Sequence, residues 1–410
     1  MKAQERFAPL ERDTPAARAP WAARLVLATL ARMEVGRLSL LLPDGTRHEF
    51  GPGGSPSAML HVRDWRAFAR AASSGDVGFG EAYVDGQWDS PDLAALLTLV
   101  SANRQRLDRA IYGKAFGALA YRLRHWLNAN TRRGSRRNIA AHYDLGNDFY
   151  SLWLDSSMTY SSALFAADRS LGLEAAQRAK YRRILERLQP ARGDRILEIG
   201  CGWGGFAELA AREHGCRVTG LTLSREQQAY AQARLRNAGV GHLTEIALVD
   251  YRDVRGEYDH VVSIEMYEAV GERYWPAWFG TLRRVLRPRG RAVVQAITID
   301  DRLFDRYRQG TDFIQQYVFR GGMLASPARF REEAGRAGLA VIDAHAFGLD
   351  YAETLNRWRK SFHDRASQVR ALGYDERFMR TWDFYLAYCE AGFLTQCTDV
   401  IQFELSPQRP

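Results

Sequence analysis

Cysteine is scarce in this 410-residue chain: only Cys201, Cys216, Cys389 and Cys397, with no Cys-x-x-Cys pair and no Cys/His zinc spacing. That excludes a disulfide framework and a zinc module, and reads as a reduced, intracellular protein. Long hydrophobic runs are missing too, since nothing approaches the ~18 uncharged apolar residues of a membrane span. Early residues include Glu5, Glu11, Asp13 and Pro15, where a secretory leader needs a basic start and an apolar core. The expected location is the cytoplasm, or the cytoplasmic face of a membrane. Internal repeats are absent, and the only biased tract is a basic one.

What is present is apolar and aromatic. Residues of the apolar class make up 46% and aromatics 11%, ample for packed cores. The length suggests two domains, or one with large additions. The formal net charge is +9, and its source is local. Residues 101–137 hold nine arginines (104, 106, 109, 122, 124, 132, 133, 136 and 137) and Lys114 against Asp108 alone, which accounts for the whole excess. Ile111, Tyr112, Phe116, Leu119, Tyr121, Leu123, Trp126 and Leu127 are interleaved with them. Arginines alternating with aromatic and aliphatic residues suit a surface lying on anionic lipid. Nucleic acid and a solvated linker are the rival readings.

Three regions follow from texture. Residues 1–100 hold a polar Pro/Ala-rich opening, a short helix near Leu25–Met33 and a hairpin from Gly36 to Gly51 around Pro43-Asp44-Gly45. Helical patterns near 64–73 and 91–103 flank a glycine- and aromatic-rich stretch, Gly75 to Trp88. This reads as a small α+β domain, joined by the basic segment 101–137 to a larger region, 138–410. The larger region carries helical patterns at about 138–155 and 173–188. Strand candidates then follow at 195–199, 217–221, 244–249, 260–264 and 292–297, with helices near 203–214, 225–237 and 274–286 between them. Such alternation predicts a doubly wound, mostly parallel α/β sheet with its ligand outside the carboxyl ends of the strands.

The most informative stretch is Arg195-Ile-Leu-Glu-Ile-Gly-Cys-Gly-Trp-Gly-Gly-Phe206. A buried strand turns sharply into a helix with little but backbone at the turn, which lets a nucleotide-like cofactor press on the main chain at a helix N-terminus. Its wording resembles the first motif of S-adenosylmethionine-dependent methyltransferases. The second strand runs into Thr222, Ser224 and Gln227, with Ser224 placed to cap a helix. The third ends in Asp250-Tyr251, an acid and an aromatic suited to an adenine. The fourth ends in Ser263-Ile-Glu-Met-Tyr-Glu268, where Glu265 and Glu268 share a ligand-facing edge.

Together these residues resemble the cyclopropane-fatty-acyl-phospholipid synthase family, which includes the mycolic acid cyclopropane synthases. His142-Tyr-Asp-Leu-Gly-Asn-Asp148, Met158-Thr-Tyr-Ser161, Met266-Tyr-Glu268, Phe313-Ile-Gln-Gln-Tyr-Val-Phe319 and Phe347-Gly-Leu-Asp-Tyr351 look like its motifs. Gly78-Phe-Gly-Glu-Ala-Tyr-Val-Asp-Gly-Gln-Trp88 resembles the added N-terminal domain of the bacterial phospholipid enzymes. The resemblance implies a Rossmann-like methyltransferase that methylates the cis double bond of unsaturated phospholipid acyl chains to give cyclopropanes. It assigns S-adenosylmethionine to Tyr160, Ser161, Gly200, Gly202, Thr222, Gln227, Asp250 and Tyr251. It also implies a bicarbonate base held by Ser162, Glu268, Gln295, Ile297 and Tyr351. Homodimers are frequent in the family.

Two of those anion holders depart from the family pattern: Ser162 stands for a cysteine and Gln295 for a histidine, and Ala269 replaces a second histidine. A glutamine donates hydrogen bonds but cannot become cationic. Methyl transfer to an alkene leaves a carbocation, which aromatic faces such as Tyr160, Tyr267, Tyr317 or Tyr351 would stabilise. The departures therefore leave open a methylene- or methyl-branched product, which would need a reductase partner to become saturated, or a lipid-binding protein that has lost catalysis. A nucleic-acid methyltransferase is disfavoured, because no Asn/Asp-Pro-Pro-Tyr-type site for an amino group is present. In the C-terminal third, Trp358, Phe362, Phe378, Trp382, Phe384, Tyr385, Tyr388 and Phe393 are expected mainly to pack, with some lining an acyl slot.

Overall fold

The computed structural model describes residues 19–104, 106–107 and 145–408. Nearly all of the basic segment, and His142 to Asp144 of the 142–148 motif, lie outside the described residues. No described helix is long and apolar enough to cross a membrane.

The first region is built from α1 (Trp21–Leu30), β1 (Gly36–Leu41), β2 (Arg47–Gly53), β3 (Ser57–Val62), α2 (Arg66–Val84), β4 (Trp88–Asp89) and α3 (Leu93–Ala102). Its four-stranded sheet has the order β2-β1-β3-β4. The expected hairpin is the antiparallel β1/β2 pair, and β3 adds to β1 in parallel. Much of the glycine-rich stretch continues α2, kinked at Gly75 (φ 60°, ψ −133°). Gly80 permits close contact instead: a Cβ there would lie 2.5 Å from Phe313 and 2.9 Å from Phe384.

The larger region is the doubly wound α/β fold. Its elements are α4 (Gly146–Trp153), α5 (Leu173–Leu188), β5 (Arg195–Ile199), α6 (Gly205–His214), β6 (Arg217–Leu221), α7 (Arg225–Asn237), β7 (Thr244–Ala247), β8 (Tyr258–Ile264), α8 (Trp275–Val285) and β9 (Leu286–Ile299). There follow α9 (Asp301–Gln309), α10 (Phe313–Tyr317), α11 (Pro327–Arg336), β10 (Leu339–Ala346), α12 (Gly348–Asp364), α13 (Ala366–Ala371), α14 (Glu376–Leu394) and β11 (Thr398–Pro407). The strand order is β10-β11-β9-β8-β5-β6-β7, parallel from β9 to β7, with β11 antiparallel to both β9 and β10. The order reverses beside β5, and the crevice above that switch point is where such sheets bind ligand.

Helix α14 belongs to both regions. Phe384, Ala387 and Ala391 enter the core of the first region, while Met379, Trp382, Tyr385 and Phe393 enter the aromatic core of the second. Polar ties reinforce the join. Tyr83 Oη donates to Asp383 Oδ2 at 2.6 Å, and Arg380 donates to the carbonyls of Tyr83 and Trp88 at 2.6 and 2.9 Å. Asp383 also takes Arg359 at 2.6 Å, so its buried charge is paired rather than orphaned.

Candidate active site

Strand β5 ends at the glycine turn. Gly200, Gly202 and Gly204 have φ of 86°, 51° and 83°, a region that side chains enter only at a cost. A Cβ at Gly200 would lie 2.9 Å from Met266, whereas one at Gly202 would meet nothing within 4 Å, so that glycine faces open space. Above the turn opens a cavity of about 320 Å³, within the size range of small-molecule sites. Trp203 is fixed at the turn by its indole N–H donating to Asn147 Oδ1 at 2.7 Å, which uses the described part of the 142–148 motif.

Of the eight residues assigned to the cofactor, Tyr160, Ser161, Gly200, Gly202, Thr222, Gln227 and Tyr251 line this cavity. Thr222 Oγ1 donates to Gln227 Oε1 at 2.8 Å, and Ser224 caps α7 as expected. Asp250 is the exception. Its carboxylate pairs with Arg252 at 2.6 Å, and it is not among the lining residues. Of the acid-plus-aromatic pair, Tyr251 lines the cavity and Asp250 is engaged by an arginine two residues on.

Two groups not singled out from the sequence bear on the cavity: Glu198 lines it, and Lys180 stands behind Ser161. Glu198, the fourth residue of β5, is 2% exposed, and its Oε2 has no hydrogen-bond partner among the described residues. An orphaned carboxylate oxygen lining the cavity fits a cationic ligand, as S-adenosylmethionine is. Lys180 on α5 is fully buried and donates from Nζ to Ser161 Oγ at 2.5 Å. Burial pulls its ammonium down, opposed by Glu265, Asp155 and Glu198. Helix α5 was legible from the sequence, but a lysine on it reads as a solvated face; only the tertiary fold turns it inward.

Three of the five residues assigned to bicarbonate, Ser162, Gln295 and Tyr351, converge, but on a carboxylate of the chain itself. Glu265 Oε1 accepts from the Ser162 backbone N–H at 2.8 Å and from Gln295 Nε2 at 2.6 Å, and Oε2 accepts from Tyr351 Oη at 2.7 Å. Gln295 is itself oriented by Gln402 of β11, whose Nε2 donates to its Oε1 at 3.0 Å. Glu268 instead accepts from the Ile297 N–H. The Ser162 hydroxyl turns away to the Ala163 carbonyl at 2.9 Å. Donors that would hold a small anion are thus engaged by Glu265, so the set does not fit a separate bicarbonate. Glu265 has φ 52°, strained for a non-glycine residue, and strain of this kind gathers at functional sites.

The two carboxyls have different surroundings. Burial pushes Glu268 up to about 8, aided by the neighbouring Glu265, so it is mostly neutral at pH 7. Burial also pushes Glu265 up, but Lys180 and the three hydrogen-bond donors pull it back. A carboxyl ringed by donors is suited to the ionised form, and pairs pushed apart in this way mark acid/base assignments. Among the aromatics, Tyr160 and Tyr351 line the cavity, and their neighbours include Tyr385 and Phe393. The Tyr160 and Tyr385 hydroxyls are 2.7 Å apart. Tyr267 is not among the lining residues but packs in the core on Trp275, Trp278 and Phe279. Tyr317 is likewise absent from the lining and donates to Glu81 in the first region. Both had been expected as cation-facing rings; a tight helical turn directs each away.

Comparison with known proteins places this geometry in context. Residues 130–403 match the family model for mycolic acid cyclopropane synthetase. The chain is 39% identical to the tuberculostearic acid methyltransferase UfaA1 of Mycobacterium tuberculosis, over 96% of this chain and 93% of that protein. It is 34% identical to the cyclopropane-fatty-acyl-phospholipid synthase of Escherichia coli, over 83% of this chain and 85% of that one. Among solved structures it resembles the cyclopropane synthase MmaA2 from Mycobacterium tuberculosis, with a TM-score of 0.62, 29% identity, and 66% of this chain and 97% of that one covered. Mycolic acid cyclopropane synthase CmaA1, complexed with SAH and CTAB, gives 0.60 and 30%, covering 66% and 97%.

Proposed function

This chain belongs to the mycolic acid cyclopropane synthetase family and is an S-adenosylmethionine-dependent methyltransferase of the fatty-acyl-modifying type; from that premise we propose that it methylates the cis double bond of an unsaturated phospholipid acyl chain and yields a methylene-branched chain. The observation that carries the product assignment is the Glu265 carboxylate inside the ring of Ser162, Gln295 and Tyr351 donors.

The bound cofactor supplies a methyl group on sulfonium: the alkene π pair forms the new C–C bond, the S–C bond breaks, and the neighbouring chain carbon is left cationic. Tyr160 and Tyr351 present aromatic rings to the cavity, where such a cation is stabilised. Glu265 is the base. Three donors fix the directions of its two oxygens, while burial keeps its basicity above that of a free carboxylate, so proton removal waits until a methyl C–H lines up with a fixed oxygen. That delay lets a hydride move from the methylated carbon to the cationic one, putting the charge on the more substituted carbon. Glu265 then takes a proton from the methyl group and the C–H pair becomes a C=CH₂ bond. Saturating that bond falls to a separate reductase. The departures at Ser162 and Gln295 and the similarity to a tuberculostearic acid methyltransferase along almost the whole chain support this reading. Similarity to the Escherichia coli synthase favours ring closure instead.

The test is mass spectrometry of lipids from a host expressing the chain, with methyl-labelled methionine. A labelled product that still takes up hydrogen is expected; one that resists hydrogenation would establish the cyclopropane. Glu265→Gln should bind S-adenosylhomocysteine normally and lose about 10²- to 10⁴-fold in turnover, the scale of a general base. Wild-type turnover in that variant would remove Glu265 from the mechanism. Glu265→Gly frees the donor ring, and added bicarbonate should restore turnover.

A further inference from the structure

A second cavity, of about 240 Å³, lies between the first region and the methyltransferase fold. It shares Tyr307, Asp312, Leu324, Tyr388, Gly392 and Thr398 with the wall of the reaction cavity. From there it extends among Val26 and Leu30 of α1, Leu38 and Leu60 of the sheet, and Leu97 and Val100 of α3. These side chains are aliphatic and belong to, or pack against, the core of the first region. An apolar space of this size costs stability when nothing fills it, and water gains little there.

The polar groups at the join bear on what enters. Tyr388 Oη donates to Asp76 Oδ2 at 2.8 Å; Asp76 and Asp312 both push the Tyr388 hydroxyl up, and Asp76 also pushes Asp312 up. Burial pushes Asp76 up to about 6 and Asp312 up to about 7, with Arg104 partly offsetting it. With Asp76 and Asp312 at the join and Arg104 and Arg306 also in the wall, charge of neither sign dominates it. An alkyl chain passes without an electrostatic cost and gains roughly 0.8 kcal/mol for each methylene buried.

Resting on the acyl-chain reading above, we infer that the second cavity receives the part of the reacting acyl chain beyond its double bond, so that the first region gauges the length of that part. Helix α14 contributes Tyr388 and Gly392 to the shared wall.

Val100→Phe, which narrows the second cavity from α3 at a residue that does not line the reaction cavity, tests this with the full chain. The substrates are phosphatidylglycerol vesicles carrying cis-monounsaturated chains with the double bond at one distance from the ester and either a long or a short remainder. Transfer of labelled methyl is read by mass spectrometry. The ratio of turnover on the long remainder to that on the short should fall at least about tenfold, the scale on which an apolar pocket sorts chain length. An unchanged ratio, whether turnover is kept or lost equally, overturns the inference. The same pair is run as lysophospholipids: a defect confined to the two-chain lipid would mean that the cavity holds the second acyl chain, and would also overturn it. If Val100→Phe does not fold, Ala71→Leu, at another lining residue of the second cavity, carries the measurement. Absence of methyl transfer by the wild-type chain on every lipid would count against the acyl-chain reading itself.

Discussion

At the scale of single residues, the site is a contrast between two carboxyls three positions apart. Glu268 titrates near 8 against an ordinary 4.5. The native state therefore keeps a proton that the unfolded chain has lost between those values. Its contribution to stability is full below the ordinary value and disappears as pH rises through the folded one. Glu268→Gln keeps a neutral acceptor for the Ile297 N–H and never ionises. Thermal unfolding should show the variant gaining on the wild type between about pH 5 and about pH 9. A constant difference across that range would mean that Glu268 is not buried as a neutral acid. The sequence brought Glu265 and Glu268 to one edge and named Ser162, Gln295 and Tyr351 as an anion's holders. It could not show that the anion is Glu265, because that depends on a backbone turn at φ 52° that no side-chain pattern encodes. Lys180 and Glu198 were missed for a related reason: a charge on an amphipathic helix or inside a strand reveals its burial only in three dimensions.

At the scale of elements, the best-read parts were those whose signals are local. Helices 173–188 and 225–237 and strand 217–221 begin and end where the sequence puts them. Strands β10 and β11 were not foreseen. Leu339–Ala346 is only partly buried along most of its length, so it lacks the apolar run of a central strand. In Thr398–Pro407, Gln402 and Glu404 are buried among apolar neighbours because Gln295 and two arginines, Arg187 and Arg291, pair with them. Such a strand reads as polar until its partners are known. The close approach of α2 to α10 and α14 is testable by Gly80→Ala, since the added methyl would collide with Phe313 and Phe384. Urea unfolding should show a loss of about 1–3 kcal/mol, the usual cost of overpacking a core. No loss would mean that the two regions separate easily at this contact.

At the scale of the whole molecule, charge and apolar surface are divided. The chain's net charge of +9 is matched by the excess in residues 101–137, while Trp21 and Leu25 of α1, 63% and 44% exposed, stand on the first region. This arrangement supports attachment to anionic lipid through the basic segment. Cosedimentation with phosphatidylglycerol vesicles should be strong at low salt and weaken markedly near ~0.5 M, where the screening length shrinks to a few ångströms. Replacing Arg122, Arg124, Arg132, Arg133, Arg136 and Arg137 by glutamine should abolish it. Binding that ignores salt and these substitutions would place the membrane contact elsewhere.

Strand β11 has one more consequence. It lies between β9 and β10, and its Gln402 orients the Gln295 amide that donates to Glu265. A ribosome makes it after every other strand of the sheet. Until residues 398–407 have left the exit tunnel, β10 has no neighbour to pair with and the amide has nothing to set its direction. The nascent chain therefore holds its glycine turn long before the last donor to Glu265 is oriented.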